Sequence, residues 1–185
     1  MAEFIEGKRP VSEALRMGVP VKRMYVAEGM KGDKVFDDIT KRAHKMGISI
    51  KQVKRHELDE RSERGSHQGI MLEAESYSYV NGQAIIDEAH RRAEDNNGSA
   101  LIVILDHITD AGNLGAIARS AEIVGAAGII IPNKRSARVT TATYKSSAGA
   151  ISHIKVAQVS NIAQFIERLK KENFWVAGAS EQAKQ

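Results

Sequence analysis

The sequence predicts an α/β protein laid out as two successive small units, and three observations predict it. Residues 101–105, Leu-Ile-Val-Ile-Leu, are an unbroken apolar run followed by a polar turn and a helical pattern, as in a buried strand of an open α/β sheet. Through residues 1–75, short alternating runs exchange with segments of helical period. From residue 100 onward strand and helix patterns alternate again, and that order implies a parallel sheet with right-handed crossovers. Ligands in such sheets gather beyond the carboxyl ends of the strands, where the turn after residue 105 falls.

Taken in chain order, Pro10 in a first helical turn starts a helix through Arg16, stopped by Gly18. Met24, Tyr25 and Val26 read as a strand. Val35, Phe36, Ile39, Ala43 and Met46 recur at helical spacing, with Gly47 as terminator. Residues 48–50 alternate as a strand does, and residues 69–72 supply another. This first unit, residues 1–75, is of a size at which independent folding is marginal. Residues 76–99 connect: a polar linker over 76–83, a polar helix over 83–95, and a break at Asn96, Asn97, Gly98 and Ser99. In the second unit, residues 100–185, strands are expected at 101–105, 128–131 and 174–177, with a weaker one at 154–156. Helices are expected at 113–124 and 161–172, and a helical turn near 140–147.

The chain has 185 residues, 42% of them hydrophobic and 27% charged, the balance of a soluble globular protein. No apolar run approaches the ~20 residues that span a bilayer, so no membrane partner is expected. The first residues lack the basic-then-apolar order of a secretory signal. Zero cysteine excludes disulfides and thiolate metal sites, and a cytoplasmic location is expected. No second histidine stands at metal-ligand spacing, so no metal is expected. Neither Gly-x-Gly-x-x-Gly nor a P-loop occurs, which removes nicotinamide and P-loop readings. The net charge of +4 permits nucleic-acid binding without requiring it. Its distribution is more informative. Lys8, Arg9, Lys22 and Arg23 lie near the start; Lys51, Lys54, Arg55, Arg61 and Arg64 follow; Lys134, Arg135, Arg138 and Lys145 form a third group. Each group is read either as a solvated face or as a phosphate-binding surface.

The richest stretch is 106–125. Asn113 can cap a helix, Gly112, Gly115 and Ala116 let a backbone or a substrate come close, and Arg119 follows about two turns later. Asp106 and Asp110 are read as holding the turn through backbone N–H groups rather than as a carboxylate pair. Asp110, Asn113, Leu114, Gly115, Ala116 and Arg119, followed by Ala121 and Gly125, resemble the first signature motif of the SpoU/TrmH family of RNA ribose 2′-O-methyltransferases. That family belongs to the knotted SPOUT class, which uses S-adenosylmethionine. The resemblance runs from Glu6, Gly7, Lys8, Arg9, Pro10 and Val11 to Phe174, Trp175, Val176, Ala177 and Gly178. It is strongest to the RlmB-like branch with an N-terminal RNA-binding domain. Ala111 stands where the family usually has Pro, and the chain ends before the second and third motifs, so the methyltransferase domain is expected to be truncated before the trefoil knot.

The resemblance implies methyl transfer from S-adenosylmethionine to a guanosine ribose of large-subunit ribosomal RNA, by a homodimer in the full-length form. The alternative is a non-catalytic RNA-binding fragment without the methyl-donor pocket. A ribose hydroxyl is a poor nucleophile until its proton leaves or its anion is stabilised. The resemblance puts Arg119 and Asn113 in catalytic positions. A protonated guanidinium is a poor base, so Arg119 is assigned to phosphate positioning and oxyanion stabilisation, against the plainer reading of a helix arginine paired with Glu122. Lys8, Arg9, Arg64, Lys134, Arg135, Arg138 and Lys145 are the expected RNA contacts, and Gly178 and Ala179 the cofactor contacts that this chain supplies. His67, in Arg64-Gly65-Ser66-His67-Gln68-Gly69, is expected to organise a turn.

Overall fold

The computed structural model describes residues 3–30, 32–62 and 65–179. It divides into two units by contact, which interleave along the chain. The first holds the residues up to Ser78 with Ala111–Arg119 and Arg138–His153, and the second holds Tyr79–Asp110, Ser120–Ala137 and the residues from Ile154 on.

In the first unit β1 (Glu3–Glu6), β2 (Val21–Ala27), β3 (Ile50–Val53) and β4 (Ile70–Ala74) form a mixed sheet in the order β1-β4-β2-β3. β4 runs antiparallel to both neighbours, whereas β2 and β3 are parallel. All five residues of β4 are buried, as expected of an inner strand. Helix α1 (Lys8–Arg16) contains Pro10 in its first turn and buries Val11, Ala14 and Leu15. Helix α2 (Lys34–Lys45) is capped by Asp33, which accepts from the Phe36 N–H at 2.8 Å, and it buries Ile39 and Ala43. Val35 and Met46, expected on that apolar stripe, are exposed at its ends. Gly18 and Gly47 follow the two helices at φ +67° and +69°, the left-handed conformation expected after a helix end.

Two elements escape the sequence reading. β1 is too short to show a period. Helix α3 (Arg55–Arg61) has a single buried side chain, Leu58, and its start is held by Glu57, which accepts from the Lys54 N–H at 3.1 Å. The strand expected at 48–50 instead begins at Ile50, because its parallel partner β2 pairs only from Met24 onward. On the α3 side, Leu58 meets Tyr25, Val53 and Met71. Tyr25 donates to buried Glu73 at 2.7 Å, and Lys22 lies 3.1 Å from the same carboxylate. The Tyr25 hydrogen bond, supported by Lys22, keeps Glu73 below the usual carboxylate range despite burial; that bond and burial raise the Tyr25 phenol.

The first unit also contains α6 (Thr141–Ser146) and the first nine residues of α5 (Ala111–Ile123). Here Gly115 is indispensable. A Cβ on it would collide with Ser146 Oγ and stand 2.6 Å from the Thr143 carbonyl and 2.9 Å from the Ser147 N–H. The small residue admits a neighbouring backbone, one of the two uses foreseen for it.

In the second unit β5 (Ile102–Ile104), β6 (Gly128–Pro132) and β7 (Val156–Val159) are parallel in the order β5-β6-β7. Helices α4 (Gly82–Asp95) and α7 (Ile162–Lys171) cover one face, with Ile85, Ile86, Phe165 and Leu169 packed on Ile130 and Ala157. Asn81 and Asn161 cap these helices, accepting from the Ala84 and Gln164 N–H groups at 2.8 and 2.9 Å. Three expectations are corrected. The apolar run 101–105 is an outer strand of three residues, half-buried, with Leu101 exposed: one flank lacks a strand among the described residues. The candidate at 154–156 lies two residues further on, because the pairing of Ile129 with Val156 sets its start. Residues 174–177 form no strand. Phe174 packs on the core and against the His90 ring at 5.3 Å, while Trp175 is fully exposed, and no described strand pairs with them.

A charged cluster closes the amino ends of these strands. Glu88 of α4 accepts from Arg91 at 2.6 Å, Arg92 at 2.7 Å and Lys155 at 3.1 Å, and Arg92 donates to the Gly125 and Ala126 carbonyls at 2.8 and 3.0 Å. Arg91 first, then Arg92 and Lys155, hold the Glu88 carboxyl down at about 2.

Two predictions concern these contacts. Gly→Ala inside a helix ordinarily gains about 0.5–1 kcal/mol. Gly115→Ala should instead lose about 1–3 kcal/mol through overpacking, and a urea melt showing a more stable variant would refute the contact. Glu88, depressed from 4.5 to about 2, adds stability that is present above 4.5 and lost as pH falls through about 2. Glu88→Gln should cost about 1–2 kcal/mol at pH 7, allowing for solvent screening of its surface partners. The difference from the parent should close between pH 4.5 and 2. A gap independent of pH would show that packing, not charge, holds the cluster.

Candidate RNA-binding and catalytic residues

Within the first unit, the segments near residues 6–11 and 65–69 come together. A cavity of about 450 Å³ is lined by Glu6, Gly7, Lys8, Arg9, Pro10, Val35, Ser66 and Gln68. Gly7 is buried at φ +90°, and a Cβ there would stand 3.2 Å from the Ser66 carbonyl. Gln68 Oε1 accepts from the Lys8 N–H at 3.2 Å, tying the start of α1 to the turn before β4. That turn is organised by His67, as expected. Its Nδ1 accepts from the Gly69 N–H at 3.0 Å, so its Nε2 is the protonated nitrogen that faces Asp59 Oδ1 at 2.8 Å. Asp59 stands on α3, the helix missed in the sequence, so the partner of His67 was missed with it.

The expected RNA cations of this unit fall into two kinds. Lys8 pairs with Asp33, and Lys145 on α6 lies 3.1 Å from Glu13 Oε1. Arg9 and Arg138 are exposed and take no side-chain partner among the described residues. Arg64 lies outside the described residues. The two carboxylates that bind α6, Glu13 and Glu3, carried no sequence signal, since both are ordinary charges 132 and 138 residues from their partners. Thr141 donates to Glu3 through its N–H, at 3.2 Å, and its hydroxyl.

Helix α5 carries the two candidate catalytic residues. It opens at Ala111, so Asn113 is its third residue and exposed, not its cap; Asp110 occupies the position before the helix. The helix begins earlier because Ala111 stands where a proline commonly opens such a helix, and Ala is an even better helix former. Arg119 is exposed and forms no ion pair with Glu122. It lies one turn beyond Gly115 on the same helical stripe. Asn113 is about 120° round the helix from Arg119, so the two do not share a stripe. Tyr144 on α6 and Ser147 just after it are buried, and burial pushes the Tyr144 phenol up.

In the second unit, the loops at the carboxyl ends of β5 and β6 are tied by the Ala137 N–H, which donates to the Ile108 carbonyl at 2.7 Å. Each loop holds a non-glycine residue in the left-handed region, His107 at φ +58° and Arg135 at φ +54°. Such residues collect where a loop is shaped for a purpose other than stability. Asp106 meets His107 Nδ1 at 2.8 Å, rather than the backbone N–H groups expected of it. Lys134 and Arg135 are exposed and unpaired among the described residues. Gly178 and Ala179 are exposed, and nothing comes within 4 Å of a Cβ built on Gly178, so the two do not by themselves enclose an adenosyl group. Among the described residues no group of acidic, histidine or cysteine side chains could hold a metal ion, and no helix is long and apolar enough to cross a membrane.

Comparison with known proteins matches this arrangement. The signature of the SpoU rRNA Methylase family fits residues 100–185, and that of the RNA 2′-O ribose methyltransferase substrate-binding domain fits residues 4–80. A putative TrmH family tRNA/rRNA methyltransferase of Bacillus subtilis, YacO, is 36% identical over 184 residues, 99% of this chain and 71% of that protein. An uncharacterized tRNA/rRNA methyltransferase of Mycolicibacterium gilvum is 38% identical over 176 residues, 95% of this chain. The chain spans 55% of the length of that relative. The fold resembles the SpoU methyltransferase AviRb of Streptomyces viridochromogenes, crystallised with AdoMet, with a TM-score of 0.55 at 21% identity over 93% of this chain and 60% of that one. The substrate-binding and methylase signatures, in this order, and the YacO match place the chain in the SpoU/TrmH family of RNA methyltransferases.

Proposed function

We propose that this chain is the substrate-binding and motif-bearing part of an RNA ribose 2′-O-methyltransferase that acts on a guanosine of large-subunit ribosomal RNA. The observation that carries the reading is Arg119: an exposed guanidinium without an ion-pair partner among the described residues, on the helix that opens seven residues after the end of β5 of a parallel sheet. An arginine left solvated there costs nothing structural to devote to a phosphate. Its fixed positive charge would position the phosphate beside the target ribose and stabilise the oxyanion that develops on the 2′-oxygen. Asn113 would hydrogen-bond the RNA from the first turn of the same helix. Lys8, Arg9, Arg64 and Arg138, with Lys134 and Arg135 on the loop after β6, would neutralise phosphates along the RNA. Few aromatic residues are present, 5% of the chain, so shape and phosphate contacts suit this surface better than base stacking.

S-adenosylmethionine is the methyl donor in this reading, with Gly178 and Ala179 contributing part of its contacts. The full-length protein would work as a homodimer in the cytoplasm. The exposed Leu101, Ile123, Val124 and Trp175 of the second unit supply apolar surface for such an interface. A second reading, RNA binding without methyl transfer, is favoured by the open surroundings of Gly178.

In the full-length protein, Arg119→Ala should lower methyl transfer roughly a hundredfold, the ~3 kcal/mol typical of one lost transition-state contact, with an unchanged circular-dichroism spectrum. Wild-type turnover in the folded variant would return Arg119 to the role of a surface charge. Calorimetry separates the two readings of the chain itself. A cofactor of this size needs a concave site that buries most of it, so these 185 residues alone should give no saturable heat with S-adenosylmethionine at micromolar concentrations. Tight one-to-one binding would instead mean that residues of this chain complete the pocket.

A further inference from the structure

We propose that Glu13 is a built-in anion that masks Lys145, and that an RNA phosphate displaces it on binding; this rests on the reading of Lys145 as an RNA contact. Glu13 lies on α1 and faces Lys145 on α6, with Lys145 Nζ 3.1 Å from Oε1 and 3.3 Å from Oε2. Both side chains are largely open to water, at 45% and 63% exposure, so the pair can exchange for another anion. Exposed ion pairs of this kind are weak, which lets a phosphate compete.

The surroundings of Glu13 are those of an anion site, not of a structural pair. Arg9 and Arg16 stand four residues before and three after it, on one stripe of α1. Neither has an ion-pair partner among the described residues. Arg9, Ser12, Glu13 and Arg16, with Val35, line one recess of about 380 Å³. Glu13 therefore has Arg9 and Arg16 beside it in this recess and Lys145 as its partner on α6. The contrast with Lys8 decides the matter. Its partner Asp33 also caps α2 through the Phe36 N–H, and so is needed for folding, whereas the Glu13 side chain has no second partner among the described residues. Nor does α6 depend on Glu13. Glu3 holds its first residue, Thr141, and Gly115 closes on Thr143 and Ser146, so Lys145 can let go without unseating its helix.

The test is fluorescence anisotropy of a labelled large-subunit ribosomal RNA hairpin with the intact chain, across a salt series. Glu13→Gln should tighten binding about two- to fivefold at low salt, the range a lost exposed pair allows. Glu28→Gln, an exposed carboxylate of the same unit, measures the effect of bulk charge and should give a smaller gain. In a Lys145→Gln background the gain from Glu13→Gln should fall to that control level. An equal gain in both backgrounds, or one no larger than that of Glu28→Gln, overturns the mask while leaving RNA binding in place. If the parent chain shows no affinity that falls with rising salt, the RNA reading itself fails and the mask falls with it. Melting curves of each variant check that folding is unchanged.

Discussion

The close approach at Gly115 is the contact on which the candidate catalytic surface of the first unit depends. Where every other residue would place a Cβ, α5 receives Ser146 Oγ, the Thr143 carbonyl and the Ser147 N–H. Backbone against backbone leaves no slack, so α6 has one register along α5. That register decides which residues of α6 are buried, Thr143 and Tyr144, and which are presented, Lys145 among them. Arg119 follows one turn later on the same stripe, and its solvated guanidinium is thus placed by packing that it does not itself share. A residue with no side chain thus sets the register between the helices that carry Arg119 and Lys145.

The N-terminal part of the unit uses a second kind of constraint, a hydrogen-bonded turn. His67 is buried and has both ring nitrogens engaged, one by the Gly69 N–H and one by Asp59. With the turn so held, Gln68 reaches the first N–H of α1, and Gly7 can take the positive φ that lets the chain leave β1 and enter that helix. The cations Lys8 and Arg9 line the cavity that results. Histidine here is a strut for the turn, a role that the lack of a second histidine at metal-ligand spacing already suggested.

The second unit gathers its ion pairs at one end of its strands and, among the described residues, leaves unpaired cations at the other. At the amino ends, Glu88 gathers Arg91, Arg92 and Lys155, and Arg92 reaches the carbonyls of the turn before β6. At the carboxyl ends, the charged residues Lys134 and Arg135 are left unpaired among the described residues, and His107 and Arg135 hold left-handed backbone. A parallel sheet favours this division, because ligands meet it beyond the carboxyl ends, where the loops are free to vary.

Much of this was legible in the sequence because it is local. Strand and helix periods, the stop at Gly18 and Gly47, the turn role of His67 and the motif around Asn113 and Arg119 all follow from neighbours within a turn or two of chain. The reading erred where pairing across the fold sets the outcome. Residues 174–177 have a strand's composition but no described strand beside them, and the starts of β3 and β7 are set by Met24 and Ile129, far away in sequence. The helix around Leu58 carries too little apolar periodicity to be seen, since one buried residue anchors it. The sequence by itself determined the family, the alternation of elements and the identity of the charged residues. Only the tertiary structure decided which of those charges are already engaged. Glu13 with Lys145 and Glu3 with Thr141 join residues more than a hundred positions apart, and the charge of a side chain says nothing about the partner that folding will bring to it.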